Sequence, residues 1–197
     1  MNPTRPLASF ALAALFVSSC GGPSQPSETS IAAAKEAARA AADRLGQELV
    51  AALGEALGKG GPVGAIEVCQ LRAPQIAADV GAAGKVKIGR TALRVRNPAN
   101  APDAWERAGL ESFAQARAGG ADLSSWSATS VEATADGFQL RWLRPIVLQP
   151  ACTVCHGEEL APELVAELAK RYPQDAATGF KPGELRGAFT ATVQLDG

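Results

Sequence analysis

Histidine and methionine are almost missing from this chain: 197 residues hold one of each, His156 and the initiator Met1. A site built on two histidines is thereby excluded. Excess charge is missing too, with 19 Lys and Arg against 20 Asp and Glu and a formal net charge of −1. That balance, and the lack of any Walker, dinucleotide-binding or zinc-finger pattern, gives no basis for nucleic-acid binding. The apolar run at the N-terminus, Leu7 to Val17, has only 11 residues, whereas a membrane span takes about 20. At 47% hydrophobic and 20% charged, the chain can bury one ordinary core and is too short for two.

What is present starts with an export signal. Val17-Ser18-Ser19-Cys20 resembles a bacterial lipobox, in which small residues precede a cysteine that is lipidated and becomes the mature N-terminus; Val17 stands where Leu is more usual. The expectation is a signal peptide over 1–19, a lipid-anchored flexible linker over 20–30, and one domain over 31–197. The Gly, Pro and Ser-rich stretch GGPSQPSETS fits the linker. Gly21 after Cys20 resembles lipoproteins sorted to the outer membrane, so the expected location is the periplasmic side of a bacterial membrane. A plain secretory signal would export the chain as well.

Apolar spacing sketches the fold. Ala34, Ala38, Leu45, Leu49, Leu53 and Leu57 recur at helical intervals, with Thr29 or Ser30 to cap and Gly58 to stop, predicting a helix over 31–57 whose alanine-rich start either frays or pairs with another helix. A second helical stripe, Ile66, Cys69, Ala73, Ile76 and Val80, turns Cys69 toward the core. Pro74 predicts a break or kink one turn after Cys69. Lys85 to Arg96 reads as a strand with a bulge near Arg90-Thr91, because its apolar residues change parity there. Asp103 and Glu106 have capping-box spacing, and Gly119-Gly120 closes the helix they open. Asp136-Gly137 predicts a tight hairpin pairing Ala135 with Phe138, whose second arm leads straight to Cys152. Leu160, Leu164 and Leu168 predict a helix, and Leu185 to Leu195 alternates as a strand. The fold class is α+β: an antiparallel sheet with flanking helices and a long N-terminal helix.

The chemistry concentrates in ACTVCHGEE, residues 151–159, which holds two of the four cysteines and the sole histidine. C-x-x-C-H is the pattern of covalent c-type haem attachment. Cys152 and Cys155 would add across the two haem vinyl groups, and His156 would ligate the iron. Three other readings compete: a thioredoxin-like redox pair, which belongs at a helix start in a βαβ unit; a zinc site recruiting Cys69, Cys152, Cys155 and His156; and a simple disulfide. For the iron's other face, Met and a second His are not on offer. With Cys20 assigned to lipid, Cys69 is the cysteine left over, set against Lys, Tyr or an open position, and against the ordinary role of a small buried hydrophobe. The basic run Lys85, Lys87, Arg90, Arg94 and Arg96 contains no acidic residue, which makes Arg90, Arg96 and Arg144 candidate contacts for the haem propionates.

Several ordered stretches carry a resemblance: Ala65-Ile66-Glu67-Val68-Cys69 with Ala73-Pro74; Arg90-Thr91; Arg96-Asn97-Pro98-Ala99-Asn100-Ala101-Pro102-Asp103; Arg144-Pro145-Ile146 before the cysteine motif; and Gly183-Glu184-Leu185-Arg186-Gly187-Ala188. Over residues 31–195 the chain resembles the Tll0287-like family of exported, single-haem c-type proteins with a PAS-like fold, found alone or as sensor domains. The resemblance implies haem held between His156 and the thiolate of Cys69. Thr91, where Ser is more usual, is a departure.

Such a protein is expected to act as a low-potential redox or gas-responsive sensor, with NO or CO meeting reduced iron. The chain ends two residues after its last strand, so the signal would pass to an unidentified redox or signalling partner. A single-haem electron carrier is the alternative. A peroxidase is less favoured, because no distal histidine is present and a thiolate would fill the peroxide position.

Overall fold

The computed structural model describes residues 25–195. The expected signal peptide, Cys20 and the first part of the linker lie outside them.

Helix α1, Glu28–Glu67, opens at Ser27, whose hydroxyl accepts the Ser30 N–H at 3.1 Å. It does not stop at Gly58. The helical dihedrals fail only at Gly61 (φ 61, ψ −166), and Pro62 restarts the helix. Glycine inside a helix costs only about 1 kcal/mol relative to alanine, so Gly58 and Gly60 are carried through. A positive φ beside a proline that suits a first helical turn does force the kink. The alanine-rich start does not fray. Ala34, Ala38, Ala41, Ala42 and Leu45 are buried on the sheet, their small side chains letting the helix lie close. Gly46 leaves room for the Phe189 ring, whose edge carbon comes within 3.2 Å of where a Cβ would stand. Farther along, Ala52 and Ala56 are the buried positions, and Leu57 faces solvent.

After α1 the chain makes a π-turn, Val68–Arg72, and continues as α2, Ala73–Gly84, with Pro74 in its first turn. The break expected from Pro74 therefore takes the form of a widened turn, in which the Ala73 N–H reaches back five residues to the Val68 carbonyl. That extra residue per turn explains a correction. Ile66, Ala73, Ile76 and Val80 are buried as the helical stripe requires, but Cys69 is rotated off it and is exposed.

Four strands form one antiparallel sheet in the order β1-β4-β3-β2: β1 is Lys87–Thr91, β2 Ala128–Thr134, β3 Gly137–Val147 and β4 Leu185–Leu195. β1 is shorter than the expected strand; the parity change near Arg90 marks its end rather than a bulge. The bulge sits in β4. Pairing steps from Ile146↔Gly187 to Val147↔Leu185, so Arg186 has no partner across the ladder. In the hairpin, Ala133 rather than Ala135 faces Phe138. A two-residue slip preserves side-chain parity, so Phe138, Leu140 and Trp142 still share the α1 face. Val131, on the edge strand, finds nothing packed over it and stays exposed.

α1 and α2 cover one sheet face through Leu45, Ile76, Val80, Leu140, Trp142 and Val193. Helix α3, Ala104–Ala118, covers the other through Leu110 and Phe113 against Leu143 and Ala188. Each fully buried leucine among these contributes about 1.5–3 kcal/mol. The Asp103–Glu106 capping box forms as expected. The short helix α4, Thr153–His156, and α5, Pro162–Arg171, then lie at the end of the sheet, where Leu164, Leu168 and Tyr172 pack on Ile66.

Candidate functional site

β3 runs into Leu148, which is buried with Ala177 and Phe180, and Cys152 packs against that cluster. A 3-10 turn, Pro150–Cys152, then feeds α4, so Cys152, Cys155 and His156 occupy little more than one helical turn. Gly157 ends it. Its N–H donates to the Thr153 carbonyl at 2.7 Å, and a Cβ at this position would lie 2.5 Å from that same oxygen. Only glycine permits so close a return, which gives the Gly following the motif a mechanical reason.

A second segment, residues 175–180, clamps this turn from the side. Phe180 N–H donates to the His156 carbonyl at 2.9 Å, and Gly179 N–H to the Gly157 carbonyl at 2.7 Å. His156 Nδ1 lies 2.7 Å from the Ala177 carbonyl. A carbonyl only accepts, so Nδ1 carries the proton and Nε2 keeps its lone pair. Burial, reinforced by the positive charges of Arg186 and Arg96, pushes the His156 pKa down to about 3. The imidazole is therefore neutral and directed, the state a metal ligand needs.

Arg96 locks the two segments together. Its Nε donates to Asp175 Oδ2 at 2.9 Å and its Nη2 to the Cys155 carbonyl at 2.6 Å, while Asp175 Oδ1 accepts the Ala177 N–H at 2.7 Å. Arg144 lies elsewhere: its guanidinium pairs with Asp43 on α1 at 2.6 Å and stacks near Trp142 and Phe189. Of the three arginines singled out in the sequence, Arg96 is thus a brace for the motif and Arg144 a tie between α1 and the sheet. Arg90 alone makes no hydrogen bond or ion pair among the described residues. It is half-buried as a residue, yet its guanidinium is packed round by protein, and that desolvation lowers its pKa.

Cys69 borders the same region from the π-turn. Although exposed in area, its thiol is desolvated enough to be pushed up in pKa, with Arg90 and Arg96 pulling the other way. The charges of Arg90 and Arg96 act on both Cys69 and His156, and Cys69 in turn acts on Cys155. A cleft of about 180 Å³, lined by Gln70, Asn97 and Tyr172 among others, adjoins the Cys69 side; another of about 190 Å³, lined by Arg94, Phe180 and Arg186 among others, adjoins the His156 side. Neither is lined by Cys69 or His156 itself.

The competing readings of the cysteines fare poorly. Cys69, Cys152 and Cys155 are free thiols, and among the described residues no three His, Cys, Asp or Glu side chains are grouped to hold a metal ion directly. A thioredoxin-like pair belongs to a βαβ unit, whereas Cys152 and Cys155 follow β3 of a sheet that is antiparallel throughout. The donor set that remains, two free thiols beside a neutral imidazole with Nε2 available, fits covalent haem.

Sequence reasoning does not single out Asp175, Ala177, Phe180 or Arg186 as site residues. Arg186 lies within the Gly183 to Ala188 stretch, but nothing in its spacing marks it. The others act through backbone groups or through partners far away in the chain.

An antiparallel sheet between helices, with a C-x-x-C-H-G turn clamped at its end, defines an α+β domain that brings two cysteines and a histidine together. The chain belongs to the Tll0287-like family, whose model matches residues 25–194. It is similar in fold to the crystal structure of the cyanobacterial haem protein Tll0287, at 19% identity and a TM-score of 0.59, over 87% of this chain and 99% of that one. No functionally curated protein matches.

Proposed function

We propose that this protein carries one covalent haem c and serves as a low-potential redox or gas-responsive haem protein, not as an enzyme. The observation that carries this reading is the 2.7 Å contact of His156 Nδ1 with the Ala177 carbonyl, which leaves Nε2 free beside two unoxidised thiols. Family membership and the haem-protein description of the similar structure support it. For attachment, the S–H of Cys152 and of Cys155 each adds across a vinyl C=C, sulfur going to one carbon and hydrogen to the other, with no oxidant consumed. Bound haem supplies a one-electron couple and, when reduced, an iron that takes diatomic gases.

The protein's own residues set how that couple behaves. His156 would hold the iron through Nε2, oriented by the Ala177 carbonyl and kept neutral by burial. Cys69 would hold its other side as a thiolate, a form that burial disfavours and the charges of Arg90 and Arg96 partly support. A thiolate donates electron density and favours the oxidised state, hence a low potential. Protonated, Cys69 would be a weak ligand, and NO or CO could bind in its place. We further propose attachment to the periplasmic side of a membrane through lipid on Cys20; among the described residues no helix is long and apolar enough to cross one.

Absorption and EPR spectra of the wild type and Cys69→Ala test the proposal. The haem should stay with the chain after denaturation, and Cys69→Ala should lose a low-spin thiolate signal. A chain purified from a haem-attaching host without covalent haem sinks the reading, and an unchanged EPR spectrum removes Cys69. If the reduced protein stays six-coordinate and ignores both gases, the gas role goes and an electron carrier remains.

A further inference from the structure

The bulge in β4 singles out one side chain. Between Gly187 and Leu185 the ladder skips Arg186, and a bulge of this kind re-aims the residue it leaves unpaired. Arg186 Nη1 donates to the Arg94 carbonyl at 3.0 Å, and its guanidinium lies 5.4 Å from the Phe180 ring centre, with Arg94 over the same ring at 4.1 Å. Phe180 is the residue whose N–H holds the His156 carbonyl. Arg186 is thus fastened beside the motif histidine, yet its Nε is buried without a hydrogen-bond partner.

A buried, unpartnered N–H on a cation costs free energy unless something anionic arrives to accept it. Arg90 also has no side-chain partner among the described residues and is partly desolvated, although none of its nitrogens is sealed off as the Arg186 Nε is. Arg94 and Arg96 add further positive charge, and the carboxylate acting on Arg186 is Asp175, already taken by Arg96. Burial and the neighbouring arginines, Arg96 first and then Arg90, push the Arg186 pKa down to about 10. The cluster as it stands is short of negative charge. Arg144 and Arg96 already have carboxylate partners in Asp43 and Asp175.

We infer that Arg186 in the β4 bulge, together with the unpartnered Arg90, seats the propionate carboxylates of the bound haem; the inference rests on the haem reading above. A porphyrin carries its two carboxylates on one edge, on short flexible arms. Guanidinium groups suit them because they offer paired donors in a planar fork.

The test uses haem-loaded full-length protein as wild type, Arg186→Gln, Arg90→Gln and the charge-retaining Arg186→Lys. Haem content and far-UV circular dichroism are measured first, then the propionate bending band by resonance Raman and the midpoint potential against pH. The band should shift in both Gln variants. The acid-side break in the potential should move up by about 1–3 pH units as the carboxylates lose their cation, and Arg186→Lys should shift it less. If a Gln variant fails to fold, Arg186→Lys still reports, since loss of the planar fork alone should move the Raman band. Haem-loaded variants with an unchanged band and an unchanged break overturn this inference alone. A wild type without haem overturns both this inference and the function it rests on.

Discussion

Arg96 and Asp175, 79 residues apart in the chain, form an ion pair at 2.9 Å in which each side chain is about nine-tenths buried, exposed by 11% and 9%. Each also reaches the backbone of the site, Arg96 at the Cys155 carbonyl and Asp175 at the Ala177 N–H. The pair therefore joins the turn that bears the cysteines and histidine to the segment that orients the imidazole.

Removing one partner leaves the other charge buried and alone. Asp175→Ala should cost about 3–5 kcal/mol, read as a fall in the urea midpoint, and Asp175→Asn less, since the amide still accepts from the Ala177 N–H. A loss below about 1 kcal/mol for Asp175→Ala would show that water enters and the brace is dispensable.

Gly157→Ala should also be destabilising, by about 1–3 kcal/mol as for an overpacked site, because its Cβ would collide with the Thr153 carbonyl. The same displacement moves His156, so a lower yield of haem-loaded protein is expected. Equal yield and stability would mean that the turn opens at little cost.

Arg144 is the contrasting case. With Asp43 as its partner at 2.6 Å and both side chains partly open to solvent, Arg144→Ala should lower stability by up to about 1 kcal/mol and leave the haem spectrum and potential unchanged. A shift in potential would favour Arg144 as a propionate contact.

Asp103 caps α3 and pairs with Arg141. Asp103→Ala should cost about 1 kcal/mol. Partial burial pushes this carboxyl up in pKa, but the Glu106 N–H and the Arg141 guanidinium outweigh it, and the net pKa lies below the ordinary 3.8. A depressed folded-state pKa means that the stabilisation is complete above pH 3.8 and is lost as pH falls through the lowered value. Asp103→Asn keeps a cap acceptor and should abolish that acid-side loss; an unchanged acid limb in urea titrations between about pH 2 and 5 would contradict it.

Much of the fold and of the site is legible in the order of residues. The Asp103–Glu106 box is readable because a cap and its reciprocal partner lie three residues apart, and most of β4 because Phe189, Ala191, Val193 and Leu195 alternate regularly, although the bulge at Arg186 sends Leu185 to the other face. The orientation of Cys69 is not. Ile66, Ala73 and Ile76 define a stripe only while the helix keeps about 3.6 residues per turn, and the π-turn around Cys69 breaks that count. Val131 and Ala133 carry the right parity for a core face, but β2 is an edge strand with no helix above that side.

The sequence by itself determined that two thiols and an imidazole, Cys152, Cys155 and His156, stand within five residues of one another. It also determined the class of fold, since the apolar periods of helix and strand are local properties. Which arginine meets which anion was decided only by tertiary structure. Asp43 claims Arg144 across 101 residues of chain and Asp175 claims Arg96 across 79, whereas the β4 bulge leaves Arg186 beside the histidine with an N–H still unspent. Charges a few ångströms apart interact strongly wherever they stand in the chain, so the pairing follows from how distant segments pack.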